Sequence, residues 1–316
     1  MGGDEWGEHD CGVPDFYFYV TTTSSDPVAD FEGPSLILSP RKWNVSIFDW
    51  THLAVTSPHR LNVEYQLIDV LTKTCNVSIG LRDAADYSEA KRKFSALRAM
   101  SCALGVEPLI AQFVGTHPLD ALSAINGPPA DPEDPRHAAA APIRSGEEPF
   151  QVWWNQPTLG LLPSGTQVFL DSESAQAAAE LLQTWIDLCD RMPRLRVLEE
   201  VLVNAPVSTS YPQATLSVWG ALESLFPSVQ TEVTYRVAMY LTQLVRPSDP
   251  LAYLKSVRSA YGQRSKIAHG SVSSTRDEIA AWRGAWALLC DATLAITRRG
   301  GLPAEEDLTR EMLMRP

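Results

Sequence analysis

The most informative stretch of this sequence reads Leu254-Lys-Ser-Val-Arg-Ser-Ala-Tyr-Gly-Gln-Arg264-Ser-Lys-Ile-Ala-His269-Gly270. It predicts a helix that ends just before Gly270, because glycine readily adopts the left-handed conformation that closes helices. Near that end stand Arg264 and His269, five positions apart. Arginine can hold a phosphate through paired charge-assisted hydrogen bonds, and histidine can move protons near neutral pH. These two groups are the minimum equipment for cleaving RNA without a metal ion.

The spacing alone carries little weight, because a chain with 20 arginines and six histidines should contain about one such pair by chance. The preceding sequence carries the argument, since it reads as three successive helices, at 219–226, 234–244 and 254–264. This succession, closed by the Arg-Ser-Lys-Ile-Ala-His-Gly run, resembles the HEPN superfamily of α-helical ribonucleases, specifically its ApeA-like branch. The resemblance covers about residues 205 to 300. It implies a dimeric, metal-independent endoribonuclease whose motifs meet in an interface cleft.

The two motif residues have a catalytic and a structural interpretation. Arg264 would clamp a phosphate, and His269 would act as general acid and base. His269, the last histidine of the chain, could instead interact with the helix dipole and the free carbonyls at the helix C-terminus. The resemblance favours catalysis. Ser265 stands where many HEPN members carry Asn, Asp or His, so it is a candidate for orienting the substrate.

Glu223 is the only ionisable side chain between Leu216 and Phe226, in a helix that is apolar almost all round. A carboxylate placed there is costly unless it is paired. We therefore expect a partner among Arg236, Arg258 and Arg264. The pair could hold the helical bundle together, orient Arg264, or do both.

Ideal helix geometry constrains how the motif works. Positions five apart lie about 140° apart around the helix axis, so both side chains cannot easily reach one phosphate from a single regular helix. Either the helix breaks between Arg264 and His269, or a second copy of the chain helps. A two-fold homodimer would bring two His269 side chains together, one to take the 2′-hydroxyl proton and one to protonate the departing oxygen.

Length and composition predict two domains, since 316 residues at 45% hydrophobic content can build two cores. Strand-like runs in the first part and helical periodicity in the second predict an α+β protein. Residues 1–170 are expected to form a strand-rich sensing or regulatory domain, and residues 171–316 an all-α, HEPN-like bundle. Strands are predicted at 16–20, 35–38, 45–48, 63–68, 151–154 and 166–170, a helix at about 88–103, and an exposed Pro- and Ala-rich loop at about 128–148. From Thr275 a capping box and a core-facing stripe of Ile279, Trp282, Trp286, Leu289 and Ile296 predict the longest helix.

The charge is unevenly divided. The net charge is −12, yet residues 1–200 carry 28 acidic and 14 basic side chains, whereas residues 201–316 carry 10 and 12. A transiently bound RNA needs only a local cationic site, so the C-terminal part is compatible with an RNA substrate. The acidic N-terminal domain is expected to repel RNA and to receive a protein or small-molecule trigger.

The remaining expectations concern compartment and cofactors. Five scattered cysteines without a Cys-x-x-Cys pair favour a cytoplasmic protein with reduced thiols, and no membrane segment, cofactor or metal site is expected. Cleavage of RNA in phage defence, or as a toxin, is implied by the resemblance. The alternatives are a non-catalytic module that binds RNA or a nucleotide, and a structural subunit of a larger complex.

Overall fold

The computed structural model describes residues 16–22, 30–40, 74–116, 152–154, 162, 170–272 and 274–314. It has the α+β class that the sequence predicts, with a sheet in the N-terminal part followed by helices. The strands predicted at 45–48 and 63–68, most of the one at 166–170, and the loop at 128–148 lie outside the described residues.

The described strands form one antiparallel sheet in the order β2-β3-β4-β1-β5-β6. Their bounds are Phe16–Thr21 (β1), Phe31–Glu32 (β2), Leu36–Pro40 (β3), Val77–Leu81 (β4), Ile110–Gly115 (β5) and Val152–Trp154 (β6). The aromatic run of β1 pairs with both β4 and β5, and its first five residues are buried. Phe18 of β1 stacks on Phe94, with ring centroids 4.0 Å apart.

The sequence did not predict β4 and β5, the two strands that flank β1. Every residue of β4 is buried, including Ser78 and Gly80, so its sequence shows none of the polar alternation that marks a half-exposed strand. Strand β5 is likewise buried except at Gln112. Both strands lie inside the sheet, where neighbouring strands on both sides form hydrogen bonds with their backbones. Because both faces of each strand are buried, the sequence does not alternate between apolar and polar residues.

Most helices overlap segments that the sequence predicts, but those at 195–204 and 305–313 were not predicted. The helix bounds are Tyr87–Ala103 (α1), Ser172–Arg191 (α2), Leu195–Asn204 (α3), Tyr211–Ser224 (α4), Val233–Val245 (α5), Pro250–Ala268 (α6), Thr275–Arg299 (α7) and Glu305–Leu313 (α8). Helix α7 packs on α3, α4, α5 and α6 and forms the centre of the C-terminal helices. Trp282 is completely buried, and its replacement by Ala would cost about 3–5 kcal/mol.

The start of α7 differs from the prediction by one residue. Ser274, not Thr275, is the N-cap: it has extended backbone (φ −149°, ψ 149°), and its Oγ accepts a hydrogen bond of 3.2 Å from the Asp277 amide. The predicted pair of Thr275 and Glu278 is wrong because Thr275 is already the first helical residue. The core-facing stripe is confirmed at Trp282, Trp286, Leu289 and Ile296, which are all buried.

Helix α7 is long and apolar enough to cross a membrane, on length and composition alone. More than half of that apolar window is buried inside the protein, as is typical of the core helix of a soluble protein. The described cysteines, Cys75, Cys102, Cys189 and Cys290, are all free and buried. These features are consistent with the soluble protein that the sequence predicts.

The chain divides into two compact units, each built from separated stretches. The first comprises residues 1–94, 109–157 and 170–179, and contains the sheet. The second comprises residues 95–108, 158–169 and 180–316. Within this second unit Cys290 Sγ donates a hydrogen bond of 3.2 Å to the carbonyl of Cys102, so the end of α1 belongs to the helical core. The domain boundary predicted at residue 170 stays a prediction.

Candidate functional site

Helix α6 carries the Arg264 to His269 motif, and local sequence sets both of its ends. Asp249 caps the N-terminus by accepting a hydrogen bond of 2.9 Å from the Ala252 amide. At the other end Gly270 has a φ of +65°, the left-handed conformation that glycine adopts without strain. The Gly270 amide then donates to the carbonyl of Ile267 at 3.0 Å, and the Ser271 amide to that of Lys266 at 2.8 Å. This Schellman closure makes His269 the C-cap of α6.

The helix does not break between Arg264 and His269. Helix α6 continues through Ala268, and the His269 amide still donates to the Ser265 carbonyl at 3.1 Å. The two motif side chains therefore leave one regular helix about 140° apart around its axis and about 7.5 Å apart along it. The arrangement in which α6 breaks between Arg264 and His269 is therefore wrong, and the one that recruits a second copy stays a prediction.

The two motif residues lie in different surroundings. His269 is exposed, and its imidazole makes no hydrogen bond or ion pair within the part of the chain that the structure describes. Arg264 instead faces helix α4, where its Nη2 atom lies 3.4 Å from both carboxylate oxygens of Glu223. The side chains of Arg264 and Glu223 are 31% and 29% exposed. Glu223 thus has one of the three arginine partners expected from the sequence.

Tyr261 completes this cluster. Its ring lies 5.5 Å below the Arg264 Cζ atom and packs edge-on against Trp219, with ring centroids 5.0 Å apart at an angle of 78°. Burial raises the pKa of Tyr261, the negative charge and carboxylate of Glu223 raise it further, and the positive charge of Arg264 lowers it. Tyr261 therefore interacts with Trp219, Glu223 and Arg264.

The sequence analysis did not assign Tyr261 to the site. Two helical spacings could have found it: Tyr261 lies one turn before Arg264 on α6, and Trp219 lies one turn before Glu223 on α4. Residues three or four positions apart share a helix face, so both pairs point in a common direction. Finding the site also required the packing of α4 on α6, which is a tertiary contact.

The guanidinium of Arg264 is held on one side only. Its Nε is shielded from solvent and has no hydrogen-bond partner among the described residues, and the same is true of Oε1 of Glu223. The contact at 3.4 Å is longer than the roughly 2.7–2.9 Å of a tight charge-assisted bond. Nη1 makes no hydrogen bond to any residue that the structure describes, and the Arg264 side chain as a whole is 31% exposed. The guanidinium therefore has hydrogen-bonding capacity left for an anion.

Two other predicted site residues lie outside this cluster. Arg236 donates a hydrogen bond of 3.3 Å to the Tyr240 hydroxyl, and its Cζ lies 5.9 Å from the centre of that ring. Tyr240 in turn contacts Thr309 of α8. Ser265 is half-buried next to Arg264 on α6, and its carbonyl accepts the His269 amide. The structure brings together Glu223 and Arg264 but places Arg236 against Tyr240 of its own helix.

Neither a family model, nor a curated protein, nor a solved structure matches this chain.

Proposed function

We propose that this chain is a metal-independent endoribonuclease of the HEPN type, ApeA-like branch, which cleaves RNA and leaves a 2′,3′-cyclic phosphate. The observation that supports the proposal most is the setting of Arg264. Its guanidinium rests on Tyr261 and Glu223, its Nη1 makes no hydrogen bond to a described residue, and the same helix ends at the exposed His269. An arginine held in place with one free nitrogen is suited to bind a phosphate.

In the proposed reaction the 2′-oxygen of a ribose attacks the adjacent phosphorus, and the bond from phosphorus to the 5′-oxygen breaks. One His269 imidazole takes the 2′-hydroxyl proton, and a second, protonated His269 gives its proton to the departing 5′-oxygen. Arg264 stabilises the negative charge of the phosphorane between these steps. In-line attack needs a flexible backbone, so single-stranded RNA is the proposed substrate.

This mechanism needs two copies of the chain. Because α6 is regular from Arg264 to its end, one copy presents Arg264 and His269 in different directions. A two-fold homodimer through the helical part would place a second His269 within reach of the same phosphate. Glu223 would then orient Arg264, and Ser265 would contact the substrate. Arg236, which contacts Tyr240, would support the bundle rather than the phosphate.

The biological setting is proposed from the resemblance of residues 205–300. Cleavage of transfer, ribosomal or messenger RNA in the cytoplasm, as phage defence or as a toxin, fits that resemblance. Residues 1–170 would receive a protein or small-molecule signal, since their strong acidic excess disfavours contact with RNA.

A second candidate is a non-catalytic module that binds RNA or a nucleotide. The unbroken course of α6 favours it, because a single copy offers a phosphate-binding arginine without a histidine on the same side. Such a module would bind through Arg264 and leave the RNA intact.

Incubation of the purified protein with single-stranded RNA in EDTA separates the two candidates. We expect cleavage with 2′,3′-cyclic phosphate ends, and loss of about 10²–10⁴-fold in rate for His269→Asn, which keeps a polar residue at the C-cap. Arg264→Ala should lose cleavage similarly. Arg283→Ala is the matched control, since Arg283 is an exposed arginine of α7 and belongs neither to the motif nor to helix α6. Bound but intact RNA would favour the second candidate.

A further inference from the structure

Helix α6 carries a basic stripe on its exposed face. We use this term for Lys255, Arg258, Lys266 and His269, together with Gly262 in the middle, and all five residues are exposed. At about 100° per residue these positions fall within roughly 80° of one another around the helix axis. They extend about 21 Å along it, at about 1.5 Å per residue. The stripe therefore forms one continuous line that ends at His269.

The cations of the stripe have no acidic partner among the residues that the structure describes. Helix α6 contains no acidic residue from Pro250 to Ala268, although the chain as a whole has a net charge of −12. Lys255, Arg258 and Lys266 form no ion pair with any residue that the structure describes. Arg258 has a single aromatic contact, with its Cζ 5.8 Å from the centre of the Tyr235 ring. An acidic protein that leaves one helix face uniformly cationic offers a surface for a polyanion.

The side chains in the middle of the basic stripe are unusually small. The side chains at the exposed positions between the cations are those of Ser256, Ser259 and Gly262. Glycine inside a helix costs roughly 0.5–1 kcal/mol relative to alanine. A Cβ atom added at Gly262 would meet nothing within 4 Å, so packing does not require glycine there. Close approach of another backbone to the helix is a reason to keep it.

We propose that the basic stripe is the surface on which single-stranded RNA lies, with successive phosphates against Lys255, Arg258 and Lys266 and the strand led to His269. This inference rests on the proposed function, since it names how that substrate is held. Charge complementarity selects a nucleic-acid backbone as the partner. Gly262 lets the backbone approach the helix, and the Ser259 hydroxyl can donate to a phosphate oxygen. The Ser256 hydroxyl already donates to the Tyr253 carbonyl at 2.7 Å.

The test measures binding separately from cleavage. A fluorescent single-stranded oligonucleotide with 2′-O-methyl groups cannot be cleaved through a 2′-hydroxyl, so its affinity reports on the stripe even if the protein proves not to be a nuclease. We expect Lys255→Ala/Arg258→Ala/Lys266→Ala to lower the dependence of log affinity on log salt by about 2, at about 0.7 per lost phosphate contact. Arg194→Ala/Arg283→Ala/Arg298→Ala is the matched control, because it removes the same charge from exposed positions outside α6.

A second pair of variants tests the shape of the stripe. Gly262→Gln should weaken oligonucleotide binding severalfold and raise the melting temperature, because glutamine favours the helix but blocks close approach. Gly220→Gln on α4 is its control, since Gly220 is also exposed with open space around it. Three results would overturn the proposal: equal losses in the two triple variants, an unchanged salt dependence in the stripe variant, or stripe-dependent binding of polyglutamate without binding of the oligonucleotide.

Discussion

Nη2 of Arg264 on α6 lies 3.4 Å from Oε1 of Glu223 on α4 and equally far from Oε2. A carboxylate that bound the arginine tightly would approach to roughly 2.7–2.9 Å and would also engage Nε. Both side chains keep close to a third of their surface in contact with solvent, so the pair should add less than about 1 kcal/mol to stability. The contact between Glu223 and Arg264 is therefore better suited to orienting Arg264 than to holding α4 and α6 together.

The first prediction tests the electrostatic coupling within this cluster. Glu223→Gln should lower the pKa of Tyr261, because it removes the negative charge that disfavours the phenolate. Arg264→Gln should raise the pKa of Tyr261, because the guanidinium favours the phenolate. NMR titration of tyrosines labelled at Cζ measures both shifts, with Tyr261→Phe assigning the signal.

Glu232→Gln is the matched control, since Glu232 is an exposed acid at the start of α5. It should leave the Tyr261 titration unchanged. The raised pKa of Tyr261 also makes the stability of the fold depend on pH. The stabilisation linked to the neutral phenol is complete below the ordinary pKa of tyrosine and is lost as the pH rises through the pKa of the folded state. Equal titration of Tyr261 in wild type and in Glu223→Gln would contradict the coupling.

The sequence predicted most of what depends on local rules. The 3.6-residue period located α2 and α7, and the single acid in an apolar helix predicted the pairing of Glu223 with an arginine. Tyr261 was missed because its role depends on α4 lying against α6, which no local spacing encodes. Strands β4 and β5 were missed because their buried residues lack alternation. The partner of Arg236 could not be predicted. Tyr240 lies one turn away on the same helix, and the sequence does not show whether Arg236 binds its hydroxyl or a more distant acidic residue.

The second prediction concerns the shared site of the proposed dimer. If two His269 side chains act on one phosphate as acid and base, a heterodimer of wild type with His269→Asn lacks one of them. Its cleavage rate should then fall by about 10²-fold or more, rather than by half. Differently tagged copies, co-expressed and purified through both tags, give the heterodimer for measurement.

The wild-type homodimer purified through the same two tags is the control for that experiment. A heterodimer with half the wild-type rate would mean that each copy carries a complete site. A strictly monomeric protein in solution that still cleaves RNA would rule out the shared site altogether.

The third prediction concerns Glu199, a half-buried acidic residue of α3 outside the motif. Glu199 Oε2 accepts a hydrogen bond of 2.8 Å from Nε1 of the fully buried Trp185, and burial raises the pKa of Glu199. A raised pKa means that this carboxyl group favours the fold most at low pH and less as the pH rises through its folded value. Glu199→Gln keeps an acceptor without the charge, so it should be neutral or stabilising by up to about 1 kcal/mol at pH 7.

Glu199→Leu separates the charge from the hydrogen bond. It leaves the buried Trp185 Nε1 without its acceptor, which should cost about 1–3 kcal/mol. Urea unfolding at pH 5 and pH 8 measures both variants. The advantage of Gln over Glu should grow with pH, and a wild type that gains stability over Glu199→Gln between these pH values would contradict the prediction.

The last prediction has the opposite sign and concerns the attachment of α8. Glu311 Oε2 accepts hydrogen bonds from Arg246 at 2.7 Å, Gln243 at 2.8 Å and Arg299 at 3.0 Å. The bond from Arg246 contributes most to lowering the pKa of Glu311, which falls to about 2. The stability that this carboxylate provides is therefore present above the ordinary glutamate value of 4.5 and is lost as the pH falls through about 2.

Because Glu311 remains 34% exposed, solvent screening should limit the effect of Glu311→Gln to about 1 kcal/mol at pH 7. Chemical unfolding from pH 7 to pH 2 should show the two proteins converging at the acidic end, whereas Glu306→Gln, an exposed acid of the same helix, should follow wild type throughout. A deficit of Glu311→Gln that persisted undiminished at pH 2 would show that shape, not charge, makes Glu311 necessary there.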